Sequence, residues 1–175
     1  MGINGIMTSA GVVVGLIISI ILIKICNKNG KIITEYDERQ EAIRGRGFKY
    51  AMYSAWIMIG IYIVLEIGEV NIHMENGLIL FTILVISLLV QVSHSIWNDA
   101  YFGRNNSTRK YVIIFIALTL INALVAVQSG MNHMLVVNGM LTIKAINAEC
   151  ALVFVIIGIE YALKGIAENK EPKEE

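Results

Sequence analysis

The apolar residues of this chain come in long blocks, and the length of those blocks constrains the fold more than any other feature. Residues 6–23, 77–97 and 111–127 contain no Asp, Glu, Lys or Arg, and 51–70 holds only Glu66 and Glu69 near its end. A helix rises about 1.5 Å per residue, so about 20 residues cross a hydrocarbon core of about 30 Å. A fifth block, 146–163, is apolar apart from Glu149 and Glu160. Only 16% of the residues are charged, against about 25% in a soluble domain. Lipid offers no partner to a backbone N–H or C=O, so spans of this kind must be helices or closed barrels. The expected fold is therefore an all-α integral membrane protein with five transmembrane helices.

Lys and Arg set the orientation. With the N-terminus outside and the C-terminus cytoplasmic, the segment 24–49 carries Lys24, Lys28, Lys31, Arg39, Arg44, Arg46 and Lys49 on the inner side. Arg104, Arg109, Lys110, Lys164, Lys170 and Lys173 join them there, and Lys144 alone stays outside. A four-helix alternative, in which the chain after Val127 never crosses, would strand the tail lysines outside. The first block could also be read as a cleaved signal peptide. Met1 to Met7 hold no basic residue, however, and the block ends in Lys24-Ile25-Cys26 without a small-residue cleavage pattern, so it is read as a retained helix. The expected organisation is one bundle over 1–164, a juxtamembrane loop over 24–49 and a charged tail over 165–175. Outside lie a tight turn at 71–76 and a longer loop near 128–147, whose apolar 134–137 suits the interface.

Inside the bilayer, helices associate through close packing and polar contacts. Gly11, Gly15 and Ser19 recur every four residues in the first span, a small-residue groove for a neighbouring helix or a second copy. Ser87, Gln91, His94 and Asn98 share one face of the third span. Such a stripe belongs toward protein, as interhelical hydrogen bonding or as part of a polar pathway. Asn122 in the fourth span is its expected partner. Glu66, Glu69, Glu75 and Glu149 sit near the outer ends of spans, where interfacial hydration or a cation site would account for them. His73-Met74 and Met131, His133 and Met134 have soft-metal chemistry that suits copper, but with eight Met in the chain such neighbours are expected without a metal. Cys26 and Cys150 fit no redox or zinc pattern and fall at opposite bilayer faces. No cofactor or metal site is expected.

The segment Thr34 to Tyr50 is the sharpest feature. It is dense in charge and helix-like, with Thr34 and Asp37 approximating a capping box. Its basic residues gather beside the membrane, where anionic lipid attracts them. Gly45 and Gly47 are expected to loosen the backbone before the second span. The later run Asn98-Asp99-Ala100-Tyr101-Phe102-Gly103 falls on the same side. Asp99 is therefore expected to pair with Arg39, Arg44 or Arg46.

Asp37-Glu38-Arg39-Gln40, followed by Arg44-Gly45 and Lys49-Tyr50, resembles the juxtamembrane stretch of a family of small bacterial multi-pass membrane proteins. Asp99-Ala100-Tyr101-Phe102-Gly103 is similar to that family's aspartate-aromatic-glycine turn. The resemblance covers the middle third of the chain. It implies a plasma-membrane location, often with a helix-turn-helix regulator encoded nearby, and no established activity.

No HExxH, GxSxG or phosphate-cradling loop is present, and no carboxylate pair or Ser/His pair at matching depth suggests intramembrane hydrolysis, so an intramembrane enzyme is the weakest reading. No internal repeat marks a stand-alone carrier, although a transporter subunit fits. With zero formal net charge, nothing favours direct nucleic-acid binding. The expected function is non-catalytic. The protein would sit in the lipid bilayer and bind a cytoplasmic regulator, another membrane subunit or a second copy. Asp37, Glu38, Arg39, Gln40, Arg44, Arg46, Asp99 and Tyr101 would form the contact surface.

Overall fold

The computed structural model describes residues 36–103 and 108–168, together with Ile17. The predicted span 6–23, with Gly11, Gly15 and Ser19, lies outside the described residues apart from Ile17, as does Cys26. The segment from Tyr36 onward forms its own compact unit.

That unit holds four helices: α1 Glu38–Ile67, α2 Asn76–Trp97, α3 Thr108–Met131 and α4 Ile146–Glu168. A two-residue-per-strand hairpin, β1 Val136–Val137 and β2 Met140–Leu141, and a single 3-10 turn, Ile143–Ala145, connect α3 to α4. Among the described residues, three helical stretches are long and apolar enough to cross a membrane: Glu38–Ile67, Asn76–Trp97 and Ile143–Ala167. The apolar part of α3, Phe115–Met131, is shorter.

The helices pack in the spatial order α1, α2, α4, α3. Successive helices reverse direction along the chain. Helices α2 and α4 therefore run parallel, as two matched hydrogen bonds between them show. Thr82 donates to Glu149 at 2.7 Å and, three turns further on, Ser93 donates to Glu160 at 2.9 Å. One end of the unit holds the start of α1 and the turn after α2 and is called here the charged end. The other is the hairpin end.

Helix α1 is longer than the expected second span, 51–70. It does not begin at residue 51 but at Glu38, and it runs unbroken through Gly45 and Gly47. At 30 residues it is about 45 Å long, so its charged first turns extend beyond an apolar length suited to the bilayer. Gly47 does not loosen the helix. It is buried, and a Cβ there would lie 3.3 Å from both the Gln91 carbonyl oxygen and His94 Cδ2. The glycine is what lets α1 approach α2 this closely. Further along, α1 exposes Trp56, Ile57, Ile61, Val64 and Ile67, an apolar surface far more suited to lipid than to water.

Three of the helices end alike. After α1, α2 and α3 the chain enters the left-handed region at Glu69, Asp99 and His133, with φ of 52°, 58° and 53°. In each case the next amide reaches back five residues: Val70 to Leu65 O at 3.0 Å, Ala100 to Ser95 O at 2.8 Å and Met134 to Ser129 O at 2.9 Å. These are Schellman closures, which satisfy orphan helix carbonyls. Glycine normally takes the left-handed position, and none of these three residues is glycine.

The long connection at the hairpin end is not an unstructured loop. Asn138 and Gly139 both have positive φ, 52° and 76°, as a tight two-residue hairpin turn requires. The hairpin then pairs with the α1–α2 connection. Glu75 N donates to Leu141 O at 2.9 Å and Leu141 N to His73 O at 2.8 Å. Glu75, expected to be a hydrated interfacial carboxylate or part of a cation site, accepts from Ile143 N at 2.6 Å in an exposed hydrogen bond.

Candidate functional site

The charged end is built from the start of α1. Asp37 caps the helix: its Oδ1 accepts from Gln40 N at 2.7 Å, and Gln40 Oε1 accepts from Asp37 N at 3.3 Å. The capping box is thus Asp37 with Gln40, one turn later than the expected Thr34 with Asp37; Thr34 lies outside the described residues. The reciprocal bonds satisfy two donors at the helix start. They also fix the Gln40 side chain so that its amide nitrogen points away from the helix.

From there Gln40 Nε2 donates to Asp99 O at 2.7 Å and to Phe102 O at 3.2 Å. Arg39 Nη2 donates to Asn98 O, Arg44 Nη1 to Ala100 O and Tyr36 Oη to Tyr101 O, each at 3.4 Å. Five consecutive carbonyls, 98 to 102, therefore accept from four side chains of one helix start. The Arg44 guanidinium also lies 4.2 Å over the Tyr36 ring, a cation–π contact that holds both donors. Gln40, Ile43, Gly47 and Ala51, at steps of three and four, are the buried face of this region.

The expected Asp99–arginine pair is corrected by this geometry. The arginines grip the main chain of the turn, and the Asp99 carboxylate pairs with Lys164 on α4. Lys164 also donates to Ile96 O at 2.6 Å. The reason is the left-handed conformation at Asp99, which turns its carbonyl toward Gln40 while its carboxylate meets α4. The turn's aromatic residues reach further. Tyr101 stacks edge-on with Phe102 at 4.9 Å, and Phe102 with Tyr161 of α4 at 5.5 Å. Tyr101 lies 6.2 Å from Phe115 of α3. One six-residue turn thus joins α1, α3 and α4.

Glu38, Arg39, Glu41 and Arg46 remain exposed, and Asp37, Arg44 and Tyr101 are half-buried. Gln40 was expected on the contact surface but is buried. Its role is to hold the turn. The exposed set carries both signs of charge on a surface fixed from beneath.

The polar stripe of α2 faces α1 and its own helix. Ser87 donates to Ile83 O at 2.7 Å, Gln91 Nε2 to Ser95 Oγ at 3.3 Å and Asn98 Nδ2 to His94 O at 2.7 Å. His94 meets the Tyr50 ring edge-on at 5.0 Å. Its Nε2 is buried and has no hydrogen-bond partner among the described residues. Asn122 is not the partner of this stripe; it bonds to Leu118 O within α3 at 2.8 Å. Glu149, expected at a hydrated interface, instead turns toward Thr82. One carboxylate oxygen of Glu149 and one of Glu160 are buried without a partner among the described residues. No cluster of three or more His, Cys, Asp or Glu positioned for a metal occurs among the described residues.

No protein-family model, no characterised protein and no solved structure matches this chain.

Proposed function

We propose that the protein is a non-catalytic polytopic membrane protein of the plasma membrane that binds a cytoplasmic regulator or another membrane subunit at its charged end. In this reading it has five spans, with the N-terminus outside and the charged end in the cytoplasm. The resemblance of Asp37–Gln40 and Asp99–Gly103 to a bacterial membrane-protein family belongs to the same reading.

The observation that carries it is the grip of Tyr36, Arg39, Gln40 and Arg44 on five successive carbonyls. A free juxtamembrane loop would lose conformational entropy on binding a partner. A helix start bonded to a turn about sixty residues later has already lost much of it. It presents Glu38, Glu41 and Arg46 in fixed positions, and mixed charge of this kind selects partners by complementarity.

The test is site-specific photocrosslinking from Glu41 in intact cells, compared with the charge-reversed variant Glu41→Arg/Arg46→Glu. Support is one identified protein crosslinked in the wild type and lost in the variant at equal abundance. An unchanged crosslink pattern in the variant would remove this surface as the contact. Reporter fusions placing residues 1–5 and the C-terminus on the same side would remove the five-span topology.

A second reading, a subunit of a membrane transporter, draws on Glu149 and Glu160. Ionisable side chains facing a helix seam at membrane depth mark ion or proton pathways more often than structural contacts. Its discriminating measurement is solute or proton flux in liposomes of the purified protein, alone and with any captured partner, compared with Glu149→Gln and Glu160→Gln.

A further inference from the structure

Helix α1 carries a graded stripe. Arg46, Lys49, Tyr53, Trp56 and Gly60 follow one another at steps of three, four, three and four, which keeps them on one side of a helix. All five are exposed. Among the described residues Arg46 and Lys49 make no hydrogen bond or ion pair. The Lys49 ammonium lies 5.7 Å from the centre of the Tyr53 ring, and the Tyr53 and Trp56 rings are 6.0 Å apart. Beyond them the helix exposes Ile57, Ile63, Val64 and Ile67. Lys49 and Ile63 stand about 21 Å apart along the axis. The order along the helix is cation, aromatic ring, hydrocarbon. A phospholipid has the matching order of phosphate, glycerol backbone and acyl chain.

We propose that this face of α1 holds one anionic phospholipid, with its phosphate on Arg46 and Lys49 and one acyl chain laid past Trp56 toward Ile63. Charge selects the headgroup. Helix α1 has no acidic residue between Glu41 and Glu66, so no carboxylate of its own neutralises the pair. Arg44, the third cation of this stretch, is engaged with Ala100 O and the Tyr36 ring. A guanidinium presents forked donors that match phosphate oxygens, and an ammonium beside it adds a point charge. Tyr53 and Trp56 suit the level where headgroup gives way to chain. Gly60, one turn beyond Trp56, leaves a dip in the surface, since a Cβ there would meet nothing within 4 Å. A free phosphate would use only the cations and leave the rings and the exposed isoleucines unexplained. The site needs the bilayer but no protein partner, so the purified chain tests it apart from the contact proposed at Glu41.

The test is native mass spectrometry of the full chain released from mixed micelles containing equal phosphatidylglycerol and phosphatidylethanolamine. The wild type is expected to retain one phosphatidylglycerol. Arg46→Gln/Lys49→Gln changes two exposed positions and leaves the grip on the turn intact, so it is expected to fold normally. It should retain about thirtyfold less lipid, because each cation at the membrane surface contributes about a fivefold attraction to anionic lipid. Lys144→Gln removes a charge at the hairpin end and is expected to retain as much as the wild type. A wild type that retains no phospholipid, or takes both lipids equally, overturns the proposal. So does a double variant that retains phosphatidylglycerol as the wild type does, or a Lys144→Gln that loses as much as the double variant. A lipid-free dimer overturns it as well, because a second copy then covers the face.

Discussion

The two ends of the helical unit are fastened by different chemistry. At the charged end, side chains at and just before the start of α1 donate to the main chain of a turn: Tyr36, Arg39, Gln40 and Arg44 onto carbonyls 98 to 102. At the hairpin end, main chain bonds to main chain, through Glu75 N to Leu141 O and Leu141 N to His73 O. The first fastening depends on the identity of a few residues. The second depends mainly on backbone conformation, with the Glu75 carboxylate on Ile143 N as a side-chain addition. The charged end should therefore fail through single polar substitutions, and the hairpin end chiefly through changes at positive-φ positions.

The largest expected effect is at Gln40. Gln40→Leu removes the donor to two carbonyls and half of the capping box, and lost partners of this kind cost about 2–4 kcal/mol together. Thermal or steric-trapping unfolding in mild detergent measures it. A loss below about 1 kcal/mol would erase the contrast between the ends. Next is Gly47→Leu, which forces a side chain against the Gln91 carbonyl and His94 and is expected to cost about 1–3 kcal/mol by overpacking. The same unfolding assay should show Gly45→Leu nearly neutral, because a Cβ at Gly45 meets nothing within 4 Å.

At the hairpin end, Gly139→Ala places a Cβ on a residue with φ of 76° and is expected to cost about 1–2 kcal/mol. A change from Val136 to Thr in the adjoining strand should stay within about 0.5 kcal/mol. One pair of substitutions sharpens the comparison most. Glu69→Gly relieves a left-handed residue whose side chain makes no hydrogen bond or ion pair among the described residues, and it should stabilise by about 1 kcal/mol. Asp99→Gly relieves the same backbone conformation but deletes the Lys164 pair, so its gain should be smaller or absent. Equal gains at both positions would mean that the Asp99 carboxylate contributes nothing to the fastening.

These differences also explain what the amino-acid order disclosed. The apolar blocks announced the helices because membrane-length runs have few other uses, and α2 and α4 begin within one residue of expectation. Asp37–Gln40 and Asn98–Gly103 stand out as polar runs beside apolar ones, and the fold brings them together. The partners within that contact were not legible. Opposite charges suggest Asp99 with an arginine, yet a left-handed residue turns its carbonyl and its carboxylate to different neighbours, and that conformation carries no glycine to announce it. Glu69 and His133 hid two further helix ends for the same reason. Gly47 illustrates the ambiguity of glycine: flexibility and close approach look identical until the facing helix is known. The Asn138-Gly139 dipeptide between Val136-Val137 and Met140-Leu141 did carry a hairpin signal, masked by its place between two spans. Glu149 and Glu160 were visible as the charges within the last block, but whether a helical carboxylate turns to water or to Thr82 and Ser93 depends on packing that no local pattern encodes.

The central claim is that α1 holds the turn by its backbone while α4 holds it by the Asp99 side chain. A charge-swap series tests it most directly, with unfolding measured for Asp99→Lys alone, with Lys164→Asp, and with Arg44→Asp. The account predicts that Asp99→Lys is destabilising, that Lys164→Asp restores most of the loss, and that Arg44→Asp deepens it by removing the donor to Ala100 O. Restoration by Arg44→Asp and not by Lys164→Asp would contradict it.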